Sequence, residues 1–393
     1  MDINEKMNLI IKAGVKLVES GLIARTWGNV SCRIDESSFL ITPSGRNYIN
    51  LTPEEIVVVR IEDCSYSGNV KPSSEKGIHA EVYKLFPEVN FVIHTHQENA
   101  SALSATGLSE IKLSNDVEIL CAKYALPGTN KLRRNVAEVL KSSKGNAVIM
   151  KNHGALCFGN SYEETFKTAS ELEVTCQNFL IEQYLKVSGS SSFNKGEMNH
   201  FSLAGFSNSE IRIPKRGSLP YQSSRRITGG FMLTDDKGGN TQVEFDEISS
   251  FLPREVNIYN SIYKKHKNID YIINSTIPET VAVSDYEIRM KPLLDDFAQI
   301  AGMEAKNIPI DSLKIASTLK NSSVVFLRNH GALCCGKTQG DAEAVALVTG
   351  KACKTLIVSA LFDKVKPINP LECRLMRYVY LNKYSLQVDR NKK

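Results

Sequence analysis

Two histidines one residue apart, His94 and His96, close a short apolar run, Asn90-Phe91-Val92-Ile93, whose residues favour a buried strand. Alternate strand residues point to the same face, so two imidazoles at this spacing can converge on one ion. Glu75 lies upstream in Ser73-Ser74-Glu75, and His153 lies downstream in Asn152-His153-Gly154. Three neutral imidazoles and a carboxylate make a borderline-soft donor set, most simply for Zn²⁺ or another divalent metal. Four small polar turns accompany these ligands: Gly28-Asn29, Ser44-Gly45, Ser73-Ser74 and Asn152-His153-Gly154. Glycines let the backbone approach an anion, and Ser hydroxyls donate to phosphate oxygens; Ser73-Ser74, directly before a helix, is the best placed.

The elements that must position these groups are legible in the hydrophobic pattern. Residues 4–20 read as an amphipathic helix through Met7, Ile10, Ile11, Val15 and Val18, with Gly21 as its stop. Trp27 reads as a packing residue at the Gly28-Asn29 turn. Phe39-Leu40-Ile41-Thr42 and the apolar run from Ile56 to Ile61 read as further strands. Glu75 to Phe86 reads as a helix with Ile78, Val82 and Leu85 inward, Pro72-Ser73-Ser74 supplying cap chemistry. Beyond the His94 strand come a helix over Glu98–Ala105, a strand over Ala147–Met150 and a long helical pattern from Ser161 to Leu185. Residues 188–226, rich in Ser, Gly and basic groups, read as a linker.

Past that stretch the chain repeats itself. Lys151-Asn152-His153-Gly154-Ala155-Leu156-Cys157-Phe158-Gly159 returns as Arg328-Asn329-His330-Gly331-Ala332-Leu333-Cys334-Cys335-Gly336, and Asn90–His96 returns as Asp270–Thr276. Glu75 matches Glu255 in the same frame. Matching spacing over such a length predicts two copies of one domain. The second has lost chemistry: Asn274 and Thr276 stand where the strand histidines were, and neither residue type holds zinc well. Its opening segment reads as truncated, without a counterpart of Thr26-Trp27-Gly28-Asn29. The expected boundaries are a catalytic domain over 1–190, a linker over 191–227 and a degenerate domain over 228–393.

Composition sets the outer bounds. The chain has 393 residues, 42% hydrophobic and 23% charged, enough for two or three ordinary domains. With 48 basic and 43 acidic residues the net charge is +5, too small and dispersed for a nucleic-acid footprint. No apolar window is long enough to span a membrane and no signal-peptide pattern opens the chain, so no membrane partner is expected. Nine cysteines without a framework fit reduced thiols and a cytoplasmic location.

Taken together, Thr26-x-Gly28-Asn29-Val30-Ser31, Ile41-Thr42-Pro43-Ser44-Gly45, Pro72-Ser73-Ser74-Glu75, His94-x-His96 and His153-Gly154 resemble the class II aldolase/adducin family, with the fuculose-1-phosphate aldolase pattern nearest. The resemblance covers residues 5–187 well and 228–360 weakly. It implies a three-layer α/β/α domain around a mostly antiparallel sheet, present here as two tandem copies. It implies Zn²⁺ on His94, His96 and His153, Glu75 as the base, and phosphate among Gly28, Asn29, Ser44, Gly45, Ser73 and Ser74. The implied activity is a lyase that cleaves a carbon–carbon bond in a small phosphorylated sugar or sugar acid. Epimerisation, decarboxylation or dehydration at the same site, and a non-catalytic adducin-like or sugar-phosphate-binding role, are the alternatives. The implied assembly is a homo-oligomer, a dimer or tetramer of tandem chains. One departure stands out: the position where the aldolases carry an acid tyrosine holds Asn115. His79, one turn into the helix after Glu75, reads equally as a neighbour of the site and as a packed helix histidine.

Overall fold

A computed structural model describes residues 2–23, 27–112, 118–204, 206, 219–246, 254–310, 312–362 and 365–384. Thr26 and Asn115 lie outside the described residues. The chain divides into two compact units, Met1–Lys186 with Leu381–Lys393, and Val187–Tyr380.

The first unit opens with α1 (Ile3–Glu19), started by a reciprocal cap in which Asp2 accepts from the Glu5 N–H and Glu5 accepts from the Asp2 N–H. There follow β1 (Asn29–Arg33), β2 (Ser38–Ile41), β3 (Val57–Arg60), α2 (Lys76–Leu85), β4 (Phe91–Thr95), α3 (Glu98–Ser104), β5 (Glu110–Lys112), β6 (Glu118–Ala122), α4 (Asn130–Leu140), β7 (Ala147–Met150), β8 (Gly154–Gly159) and α5 (Tyr162–Ser188). The strands form one sheet in the order β3-β2-β1-β4-β8-β7-β6-β5. Every pairing is antiparallel except β6 with β7. Strand alternation sorts the side chains into layers. Val92, Leu156 and Phe158 pack with Ile78 and Val82 of α2 and with Leu132 and Val136 of α4 on one face. On the other face Phe91 meets the edge of the Tyr162 ring of α5, their centroids 5.7 Å apart. Each such fully buried aliphatic or aromatic side chain contributes about 1.5–3 kcal/mol relative to exposure. His94 follows Val92 on the α2 face, at the point where β4 runs out.

The second unit contains α6 (Lys195–Ala204), β9 (Tyr221–Ile227), β10 (Gly230–Asp235), β11 (Asn240–Glu244), α7 (Arg254–Lys265), β12 (Tyr271–Ser275), α8 (Pro278–Ser284), α9 (Asp295–Ile300), β13 (Asn307–Ile308), α10 (Ser312–Thr318), β14 (Val324–Leu327), β15 (Gly331–Gly336), α11 (Gln339–Ser359) and α12 (Pro370–Val379). Its sheet runs β11-β10-β9-β12-β15-β14-β13, again antiparallel except at the β13–β14 pair. Strand for strand this is the order of the first sheet without an equivalent of β5.

The duplication extends to side-chain contacts. In the first unit Arg33 donates to the carbonyls of Tyr83, Phe86 and Val89. In the second, Arg226 donates to those of Tyr263, His266 and Ile269, the same three positions at one constant offset. The stretch expected to be a linker therefore holds structure: α6 packs on α8 and α11, and β9 is the counterpart of β1. The opening of the second copy is degenerate in residue type, with its first strand intact. Sequence pattern misses β9 because only Ser224 among its seven residues is buried, so no apolar alternation marks it.

All nine cysteines are unpaired thiols. Among the described residues no helix is long and apolar enough to cross a membrane.

Candidate metal centre

Two segments of the chain bring the histidines together. His94 sits in β4 and His96 directly after it, so pleat alternation aims both rings the same way. His153 arrives from the hairpin between β7 and β8, where Asn152 takes a left-handed conformation at φ 59°. Asn tolerates that conformation better than most side chains, and Asn329 repeats it at φ 64° in the second unit. The ring centroids of His94, His96 and His153 lie 4.7–4.8 Å apart, and one ring nitrogen from each falls within 4.8 Å of the others.

Glu75 faces this cluster from the N-terminus of α2. Its Oε1 lies 2.9 Å from His153 Nε2 and its Oε2 lies 3.2 Å from His94 Nε2. The Nδ1 of His94 is 2.9 Å from the Ala155 carbonyl, which only accepts, so the proton is on Nδ1 and the Nε2 lone pair points inward. That Nε2 is buried and faces the Glu75 carboxylate, the arrangement of a nitrogen that can serve as a metal ligand. Burial raises the Glu75 carboxyl, but His94 and His153 outweigh it and hold the group well below the usual carboxylate range. Three imidazoles on one carboxylate fit a divalent ion in charge, donor type and number.

Backbone at the site is fitted closely. A Cβ on Gly154 would lie 2.2 Å from the Thr95 carbonyl oxygen and 3.3 Å from His94 Cε1. A Cβ on Gly28, at φ 106°, would lie 2.6 Å from the His94 carbonyl oxygen. Gly154→Ala should therefore push β8 away from the ligand strand. The expected cost is about 1–3 kcal/mol of stability, measured by thermal or denaturant unfolding. Metal affinity should fall with it, by about 10–100-fold in a competition titration.

The polar turns meet beside Glu75. Ser44 donates its N–H to the Lys71 carbonyl (2.9 Å), Ser73 donates to the Thr42 carbonyl (3.0 Å), and Pro43 bridges Pro72. Ser44-Gly45 and Ser73-Ser74 thus run side by side. Ser73 Oγ accepts from the Glu75 N–H at 3.2 Å and keeps its own proton to donate. Glu75 itself is the N-cap of α2, so the serines precede the cap instead of forming it. Gly28 lies one residue before β1, its carbonyl held by the Tyr48 hydroxyl at 2.9 Å. Asn29 behaves differently from the other turn residues: it is buried, and its Nδ2 donates to Glu75 Oε2 at 3.1 Å. Its Oδ1 contacts His79 Nε2, which places His79 behind the site rather than merely in the core.

A cleft of about 250 Å³ opens alongside, lined by Ser74, Glu75, Lys76, Asn130 and Arg133 among others. It does not include the three histidines. Arg133 is oriented there by Glu81, at 2.6 Å. These α4 residues were not anticipated from sequence, although Pro127-Gly128-Thr129 before the spaced Leu132, Val136 and Leu140 is a helix-start signature. Thr129 does cap α4, accepting from the Leu132 N–H.

Comparison with known proteins agrees with the two-copy architecture. The sequence matches the model of the Class II Aldolase and Adducin N-terminal domain over residues 8–180 and again over 231–357, one match in each unit. The chain belongs to the class II aldolase/adducin family and carries its domain twice. It is 35% identical over 186 residues to a 5-methylthioribulose-1-phosphate/5-deoxyribulose-1-phosphate aldolase of Escherichia coli, covering 46% of this chain and 83% of that protein. It is 33% identical over 186 residues to the L-fuculose phosphate aldolase of Escherichia coli, covering 46% and 85%. A 3-oxo-tetronate 4-phosphate decarboxylase of Haemophilus influenzae is 27% identical over 191 residues, covering 46% and 89%.

Proposed function

We propose that the first unit is a divalent-metal-dependent lyase that cleaves a carbon–carbon bond in a small phosphorylated sugar or sugar acid. The observation that carries this reading is Glu75 set among His94, His96 and His153, with hydroxyl-bearing turns beside it. An ion held by the three imidazoles, Zn²⁺ in the simplest case, supplies the positive charge that an anionic enediolate needs.

The protein's own groups do the rest. Glu75 addresses the cluster through both carboxylate oxygens, so with an ion on the imidazoles it would lie beside that ion and be displaced by an entering substrate. A carboxylate released into a buried site rises toward the range of a working general base. Ser44, Gly45, Ser73 and Ser74, with Gly28 and Asn29 at the adjoining strand entry, form the edge at which a phosphate would be held. Lys76 lines the neighbouring cleft together with Ser74. Fixing the phosphate orients the reacting carbons against Glu75. Decarboxylation is the second reading, favoured by the decarboxylase-named relative, since it leaves the same kind of enolate. We propose the cytoplasm as the location, consistent with nine free thiols, and a dimer or tetramer of chains as the assembly.

The test is metal analysis of the purified chain, then a screen of phosphorylated ketoses and keto acids for aldehyde and for carbon dioxide release. Aldehyde release supports the lyase, and carbon dioxide release supports the decarboxylase. Neither, from a metal-loaded protein that still binds the phosphorylated compounds, would leave a binding protein.

A further inference from the structure

Behind Glu75 a file of buried polar groups leads away from the histidines into the core. Asn29 Nδ2 reaches Glu75 Oε2 at 3.1 Å, and Asn29 Oδ1 contacts His79 Nε2. His79 Nδ1 lies 2.6 Å from Ser31 Oγ, which lies 2.8 Å from the Tyr83 hydroxyl. All five side chains are buried, and Ser31 and His79 are completely so.

The donors and acceptors of this file fit together in one direction. A carboxylate only accepts, so Asn29 must turn its NH₂ toward Glu75 and its oxygen toward His79. That oxygen also only accepts, so His79 must carry its proton on Nε2. The neutral ring then accepts at Nδ1, Ser31 donates to it, and Tyr83 donates to Ser31. Reversing any link sets two lone pairs or two protons against each other in a buried place, where nothing compensates.

The second unit supplies an internal comparison. There Ser224 and Tyr263 keep the inner link at 3.1 Å, matching Ser31 and Tyr83. Tyr259 stands at the place of His79, and Gln222 stands at the place of Asn29 by strand register. The Tyr259 hydroxyl is buried without a hydrogen-bond partner. The inner pair is thus common to both copies, whereas His79 and Asn29 occur only where the ligand histidines do.

We infer that His79 is a positioning residue for Glu75, acting through Asn29 to fix which way the carboxylate faces. Its catalytic consequence rests on the lyase reading; the direction of the hydrogen bonds does not. The experiment uses the full chain, labelled with ¹⁵N-histidine and ¹⁵N-asparagine, as wild type, His79→Gln and His79→Leu. The wild-type spectrum should show His79 as the Nε2–H tautomer, with the Asn29 side-chain amide protected from exchange. Gln retains a donor toward Asn29 and Leu does not. His79→Leu should lose the amide protection and lower kcat by about 10–100-fold, with KM within about twofold and metal content unchanged. His79→Gln should recover most of both. An Nδ1–H tautomer in the wild type would overturn the inference, as would equal losses in the Gln and Leu variants or full kcat in His79→Leu. Should His79→Leu fail to fold, the wild-type tautomer and the Gln variant still decide. Should the wild type turn over no substrate, the lyase reading fails alone, and the tautomer and amide protection judge the file separately.

Discussion

Glu75→Gln is expected to keep its divalent ion and to lose turnover by about 10²–10⁴-fold, the range attached to a positioned general base. Gln preserves the length and shape of the side chain, so the packing of the α2 N-terminus and the ring positions should survive. What disappears is the capacity to take a proton. The three imidazoles proposed to hold the ion would remain, and His94 stays oriented through Nδ1 to Ala155, a contact that does not involve Glu75. Metal content and kcat should therefore separate. The measurement is elemental analysis of the variant alongside its rate on the substrate identified by the aldehyde screen. Near-normal turnover would reduce Glu75 to a neighbour of the metal. Loss of metal with turnover would make it a ligand.

The parts of this site that sequence reveals are those whose residue type is itself unusual. A histidine pair at strand spacing, an Asn-His-Gly turn and a Glu at a helix start are rare enough to be seen, and their order carries the family. The α/β/α layering and the mainly antiparallel sheet follow from that resemblance and from apolar runs such as Phe91–Ile93. Hidden from sequence are features made by contact between distant positions. Asn29 reads only as a phosphate-turn residue, because nothing local shows that its amide also reaches Glu75. His79 was undecided between core and site for the same reason. In the second copy β9 escaped notice because its side chains are polar. There Arg226 repeats the carbonyl contacts of Arg33, a long-range signature with no local pattern.

The duplication also shows which constraints belong to the fold. A Cβ on Gly331 would lie 2.2 Å from the Ser275 carbonyl oxygen, as one on Gly154 would from that of Thr95. The hairpin and its glycine are therefore requirements of the sheet, kept where the histidine pair is gone. His153 and His330 share that hairpin, so a histidine at this turn is weak evidence for a metal by itself. The strand pair is what distinguishes the copies.

From that difference follows the second large effect: one divalent ion per chain, lost when the strand pair is removed. In the second unit Asn274 replaces His94, and its amide nitrogen is directed to the Tyr221 carbonyl. Thr276 replaces His96, and His330 Nδ1 is engaged with the Arg328 carbonyl at 2.6 Å. One imidazole with a half-buried Glu255 is too few donors for tight binding. In the first unit each of three histidines offers a ring nitrogen to the proposed site, and replacing His94 or His96 by Ala leaves two. Tight binding should then be lost, which metal content after exhaustive dialysis would show directly. The fold should persist, since β4 keeps Phe91, Val92 and Ile93 in the core, and circular dichroism checks this. Two ions per wild-type chain, or a full ion in the His94→Ala/His96→Ala double variant, would place the binding site elsewhere.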